Sequence, residues 1–335
     1  MKKLKSKREY PLCSWSEKRA VYPPPNSALK RETIMPNDSS IVAIETIFRG
    51  LAVKLDAHRK RLLENPDDPE ALHKFRVSIR KIKSIIDAFK AFLSPDWHAL
   101  HRRNLSHLMA ETNEKRDRDV LLTKMPFYRS LLPKKMQKGL TPLQKLLLKK
   151  KEISDRVVLS LVENELLRQE IASLPKPEMK SSLTKEVTNQ PIVITAMQIV
   201  EKRASTIVKK GKRLDAQSGE EEYHKLRIQY KKIRYTLEVM QPLIEREKYD
   251  EIMRLTKKMQ TILGDFHDYQ VQKTLLLSLG SDPLLQKRKT KKVIALLIVE
   301  IDKLEEEQEE LFRKNFIKMK RYKKRAKRLF GVHSN

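Results

Sequence analysis

Cysteine is all but missing from this chain. Cys13 is the only one, so no intramolecular disulfide can form and a disulfide-stapled secreted scaffold is excluded. Long apolar runs are missing too. The longest, Val293 to Val299, is far short of the ~20 residues a membrane-spanning helix needs. The amino terminus, MKKLKSKREYPLCSWSEKRA, has the charged start of a signal peptide but no apolar core after it. Together these absences predict a soluble, cytoplasmic protein with no membrane insertion. There is no glycine-lysine phosphate loop and no serine or cysteine nucleophile signature. His98, His101 and His107 share no ligand spacing with nearby acids, and no carboxylates cluster on one helix face, so neither a metal site nor a cofactor is expected. Glycine is scarce, with seven in the chain, and aromatic residues make up only 6 %.

What fills the chain instead is Leu, Lys, Glu, Ile, Arg and Met, which are helix formers and core fillers. The predicted fold class is all-α, and a 39 % hydrophobic content over 335 residues is enough to build a real core. The formal net charge is +29, which points to an anionic partner. Residues 1–40 contribute +5 and residues 313–328 contribute +10, leaving +14 on the body between them. The folded part is therefore itself basic.

One stretch occurs twice. HKFRVSIRKIK runs from His73 to Lys83 and HKLRIQYKKIR from His224 to Arg234. On a helix, His73, Arg76, Arg80 and Lys83 fall within an arc of about 80°, as do His224, Arg227, Lys231 and Arg234. A separate stripe carries Phe75, Ile79, Ile82 and Ile86, matched by Leu226, Tyr230, Ile233 and Leu237, the spacing of a core-facing helix. A solvated basic face needs no fixed order of His, Arg and Lys. The recurrence of that order favours a shared site for a multi-oxygen anion such as phosphate. His73 and His224 read either as anion contacts or as hydrogen-bonded structural residues at a helix start.

In chain order, residues 1–40 lack any period and form a basic, mobile arm. A helix is expected over Ile41 to Leu63. Asp68 as N-cap, Pro69 and Glu70 start the first cation helix; further helices follow from Pro95, from the segment KRDRDVLL at Lys115, and from Thr141 to about Ile171. Residues 173–190 read as a linker. The order then recurs over 191–328: a helix ended by Gly211, the second cation helix from about Glu220, a third closed by Gly264, a fourth closed by Gly280, and a last one opened by Asp282 and Pro283. Five helices, a linker and five helices imply an internal duplication of 41–172 in 191–328, with 329–335 as a tail. Asp119 lies 46 residues after His73 and Asp268 lies 44 after His224, so these two are paired as orienting carboxylates. The basic run after Glu305–Glu310 reads as a solvated helical end.

The combination of HKFRVSIRKIK, KRDRDVLL, YHKLRIQYKKIRYTLE from Tyr223 and MQTILGDFHDYQV from Met259 resembles the CHAD family of histidine-bearing α-helical domains, over about residues 41–328. The resemblance implies about ten helices in two pseudo-symmetric halves around a basic groove, and non-catalytic binding of inorganic polyphosphate, at polyphosphate granules in some members. It also implies that the eight repeat residues line the groove, that Arg116 and Asp119 match the family's Arg-Asp segment, and that Tyr235 matches a tyrosine ending the second motif. The chain departs in placing Lys231 where the first half has Arg80, and Asp265 where it has Arg116. The rival reading is a basic RNA- or DNA-binding helical protein; the lack of aromatic stacking patches and of any nucleic-acid module stands against it.

Overall fold

The computed structural model describes residues 33–214, 218–316 and 322–330. The basic arm expected over residues 1–40 lies outside the described residues as far as position 32. From Thr33 onward the chain is tied down: Ile34 is buried, and Ser40 donates its backbone N–H to the Gln190 carbonyl at 2.9 Å.

Among the described residues the regular structure is helical. The α-helices are α1 (Ser40–Glu64), α2 (Pro69–Ala88), α3 (Pro95–Glu111), α4 (Asn113–Ser130), α5 (Thr141–Glu163), α6 (Glu165–Ser173), α7 (Lys185–Asn189), α8 (Ile192–Gly211), α9 (Glu220–Met240), α10 (Arg246–Leu279), α11 (Arg288–Phe316) and α12 (Tyr322–Lys327). No described helix is long and apolar enough to cross a membrane.

The starts of α2 and α3 follow from local chemistry. The Asp68 carboxylate accepts the Glu70 N–H at 2.9 Å with Pro69 in the first turn, and Ser94 Oγ accepts the Trp97 N–H at 3.2 Å ahead of Pro95. Both side chains satisfy N–H groups that the helix itself cannot.

Several expected boundaries differ. Residues 173–190, read as a linker, hold α7, and Asp282 with Pro283 opens only a 3-10 turn over Pro283–Leu285, α11 starting at Arg288. The helix predicted from Thr141 to Ile171 breaks at Asn164, whose backbone is extended and whose side chain caps α6 through the Leu166 N–H at 2.8 Å. The break predicted at Gly264 does not occur: α10 runs straight through it for 34 residues. A glycine inside a helix costs about 1 kcal/mol relative to alanine, and α10 offsets that by burying Met259, Ile262, Leu263 and Phe266 on one side of Gly264 or the other.

Two apolar clusters form the core. The larger draws on α1, α2, α3, α8, α9, α12 and the first part of α10; the smaller joins α4, α5, α11 and the last part of α10, from Tyr269 to Leu279. Residues 174–184 carry no helix but are pinned to the connection between α2 and α3, the Ser94 N–H donating to the Glu178 carbonyl and the Lys180 N–H to the Phe92 carbonyl. At the end of the chain α12 folds back: Tyr322 is fully buried with its hydroxyl 2.6 Å from Thr256 Oγ1, and Leu329 and Phe330 are buried too.

The two cation helices, α2 and α9, touch directly, and an arginine from a third helix clamps them. Arg203 of α8 donates from Nη2 to the Ser84 carbonyl at 2.7 Å and from Nη1 to Ser84 Oγ at 3.0 Å, and it also reaches the Lys232 carbonyl and Thr236 Oγ1. Burial pushes its pKa down to about 10, which leaves it charged at neutral pH.

Candidate functional site

Where α2 and α9 meet α4 and α10, at the junction of the two core clusters, lies a cavity of about 630 Å³. Seven Lys and Arg side chains line it against three carboxylates. The cations are Lys74, Arg76, Arg80, Arg116, Arg227, Lys231 and Arg234, and the acids are Glu70, Asp117 and Asp268. Tyr235, His58, His73 and His267 complete the titratable lining.

Of the residues singled out from the sequence, the cavity brings together His73, Arg76, Arg80, Arg116, Arg227, Lys231, Arg234, Tyr235 and Asp268. Three lie elsewhere. Lys83 sits beyond the cavity's end, beside Arg102, Asp87 and Lys232; it shares the angular face of Arg76 but lies ~10 Å further along the helix axis. His224 stands behind the wall, its Nδ1 3.1 Å from that of His267. Asp119 points away into the α4–α5 contact, buried 3.5 Å from Lys115, which also bonds Asp155.

The residue that lines the cavity from α4 is Asp117, and this corrects the pairing read from the sequence. The repeat is offset by 151 residues at His73 and His224, and six pairs of lining residues keep that offset: Arg76 with Arg227, Arg80 with Lys231, Asn113 with Gly264, Arg116 with His267, Asp117 with Asp268, and Val120 with Val271. The counterpart of Asp268 is thus Asp117, and that of Arg116 is His267 rather than Asp265. Carrying the offset of the histidines forward finds both; counting to the nearest aspartate does not.

The cations are held unevenly. Arg76 Nη1 donates to the Met109 carbonyl at 2.9 Å and to Thr112 Oγ1, and Nη2 donates to Asn113 Oδ1 at 2.7 Å. It thereby satisfies the carboxyl end of α3 where that helix leaves carbonyls unpaired. Arg234 donates to Glu238 at 2.8 Å and to Gln260 at 3.3 Å. Arg227 Nη2 donates to Asp268 at 3.3 Å. The Nε atoms of Arg76, Arg80 and Arg227 and the Nδ1 of His73 are buried without a hydrogen-bond partner in the structure. Donors left in that state are costly unless something meets them.

Burial first, and then the crowding of like charge, shifts these groups. Lys231 is pushed down to about 6, chiefly by burial and then by Arg227, Arg80 and Arg76, with Asp268 opposing. His73 falls to about 4 through burial and Arg116, and His267 to about 3 through burial, Arg227 and His224. Burial, with Asp268 nearby, raises the Asp117 carboxyl above its ordinary value against the pull of Arg76. Such a chamber resists its own charge and is relieved by a multiply charged anion. Among the described residues no group of three or more His, Cys, Asp or Glu is arranged to hold a metal ion.

The chain is similar in fold to the crystal structure of the CHAD domain from the plant Ricinus communis, at a TM-score of 0.68 and 19 % identity, covering 85 % of this chain and 94 % of that one. It is likewise similar to PptA from Streptomyces chartreusis, at a TM-score of 0.65 and 12 % identity, covering 84 % of this chain and 99 % of that one. No curated protein matches the sequence. The family model for the CHAD domain matches residues 46–277, well over half of the chain and including both cation helices, and the chain therefore belongs to the CHAD domain family.

Proposed function

We propose that this protein binds inorganic polyphosphate in the cavity between α2, α4, α9 and α10, without catalysis, and that it is carried to polyphosphate granules by that binding. What supports the reading is the lining: seven Lys and Arg side chains against three acids, with the buried Nε groups of Arg76, Arg80 and Arg227 left without partners. A linear polyphosphate carries a negative charge on every unit and no bulk beyond its oxygens, so it can enter a space of about 630 Å³ and meet donors from four helices at once. Each arginine can fork two oxygens, and Lys231 acts as a point charge.

Nucleic acid fits less well. The cavity holds roughly twenty water volumes, too little for a duplex, and among the described residues Tyr235 is its one aromatic ring apart from the histidines, which gives single-stranded bases little to stack on.

The test is a titration of the full chain with long-chain polyphosphate in competition with single-stranded RNA and duplex DNA at low and near-physiological salt. Polyphosphate should win at both. Its binding constant should fall with salt at a log–log slope of about −3, as expected when four charges are neutralised by a flexible polyanion. Equal competition by RNA or DNA at matched phosphate concentration would sink the reading.

Lys231 gives the binding a pH dependence. In the free protein it sits near 6, so at neutral pH it is mostly uncharged. Arg227 and Arg234 on its own helix, Arg76 and Arg80 on α2, Arg116 on α4, and His267 and Asp268 on α10 face the same space. A bound polyanion favours the protonated amine, so binding takes up a proton above about pH 6, and affinity rises as pH falls from 8 toward 6 and then levels off for this group. Calorimetry at pH 7.5 in two buffers of different ionisation enthalpy should register close to one proton taken up. Lys231→Met should remove most of that uptake while weakening binding only about threefold to tenfold. Buffer-independent enthalpies for the wild type would contradict the assignment.

A further inference from the structure

α10 carries a glycine that its own packing does not require. Gly264 lies well inside the helix, has no positive φ, and a Cβ built on it would meet nothing within 4 Å. The contrast is with Gly139 and Gly211, where a Cβ would come within 2.6 Å of Val293 and 2.2 Å of Phe316; there packing explains the residue. At Gly264 the chain gives up helix propensity relative to alanine with no packing return, and the space it leaves open belongs to the cavity.

The counterpart of Gly264 at the constant offset is Asn113, and there the space is filled. Asn113 Oδ1 takes Nη2 of Arg76, whose Nη1 goes to Met109 and Thr112. Arg227, the counterpart of Arg76, has one Nη contact, to Asp268 at 3.3 Å, where Arg76 has three; the Nε of each is buried and unpartnered. One arginine is thus engaged by an asparagine where the other has, at the equivalent position, a glycine that lines the same cavity. A guanidinium with free donors beside a stretch of helix without a side chain suits a phosphate group: the fork takes two oxygens, and the missing Cβ lets them approach closely.

We infer that one phosphate of the bound chain sits over Gly264 and takes the free donors of Arg227, in the place that Asn113 occupies against Arg76. The inference rests on the polyphosphate reading. It divides the two arginines by role: Arg227 is a ligand contact, and Arg76 is a positioning residue that holds the α3–α4 junction.

Gly50 supplies the control. It too is inside a helix with nothing within 4 Å of a built Cβ, but it is exposed on α1 and does not line the cavity. Gly50→Ala and Gly264→Ala should each raise the melting temperature by about 1–2 °C. Titrated with medium-chain inorganic polyphosphate, Gly50→Ala should bind as the wild type does, while Gly264→Ala should bind about fivefold more weakly. Gly264→Asn should lose about tenfold or more, because its amide can take Arg227 as Asn113 takes Arg76. Wild-type binding with equal affinities for the two alanine variants would overturn the inference and leave the proposed function standing, as would a fall in melting temperature for Gly264→Ala, which would mean that packing demands the glycine. A wild-type chain that fails to bind polyphosphate would overturn the proposed function and this inference with it.

Discussion

Replacing Arg80 and Arg227 together by alanine should lower polyphosphate affinity about a hundredfold or more, measured by calorimetry or by competition with a labelled polyphosphate. Arg80 stands at the centre of the cavity's field. Its charge acts on His73, Arg76, Arg116, Arg227, Lys231 and Tyr235, residues of three helices. A charge-assisted hydrogen bond in such a setting contributes about 1.5–3 kcal/mol, and two of them lost together correspond to at least two decades in affinity. The fold should not suffer. In the free protein Arg80 opposes its neighbours' charges, so Arg80→Ala should leave the melting temperature unchanged or raise it slightly and let the Lys231 amine recover part of its depressed basicity. Removing two cations from the exposed face of α12, Lys323→Ala with Lys324→Ala, should cost less than about threefold. Equal losses for the two double variants would mean diffuse attraction to a +29 surface and no seat in the cavity.

The largest loss of stability is expected at Arg203. Its guanidinium spans Ser84 of α2 and Lys232 and Thr236 of α9, and it is a buried link between the two helices that carry the cations. Arg203→Ala leaves the Ser84 and Lys232 carbonyls without this donor and opens a cavity behind it. The expected cost is about 3 kcal/mol, or about 4 °C in melting temperature for a chain of this length. Arg203→Lys should recover less than half, because an ammonium cannot reproduce a planar fork that serves both helices. Both variants should also weaken polyphosphate binding, since the wall formed by Arg76, Arg80, Arg227 and Lys231 depends on the α2–α9 contact. Urea unfolding with unchanged midpoints would show that the clamp is dispensable.

Much of the site can be read in the sequence because a helix fixes angle by residue count alone. The order of His73, Arg76 and Arg80 and its recurrence at His224, Arg227 and Lys231 are angular facts, and Asp68, Pro69 and Glu70 mark the start of α2 by local chemistry. What depends on neighbours is not legible there. Lys83 shares the face of Arg76, yet it lies near Arg102 of α3 and Lys232 of α9 and outside the cavity, and no helical wheel contains that distance. Gly264 reads as a helix end because glycine usually is one; only the apolar side chains flanking it, which bury in the core, carry α10 through. Asp119 is the natural partner to set against Asp268 by motif, yet the 44 residues from His224 to Asp268, counted from His73, reach Asp117. Two residues around a helix are a turn of about 200°, which separates Asp117, facing the cavity, from Asp119, facing Lys115.

The most direct test of the cavity as the seat of binding is to follow the arginine Nε–H resonances by NMR while polyphosphate is added. The signals of Arg80 and Arg227, whose Nε atoms are buried and unpartnered, should shift strongly and exchange slowly with solvent once the polymer is bound, whereas Arg246, with a side chain 93 % exposed on α10, should scarcely move. Small, graded shifts at Arg246 and other surface arginines, with Arg80 and Arg227 unchanged, would contradict the account.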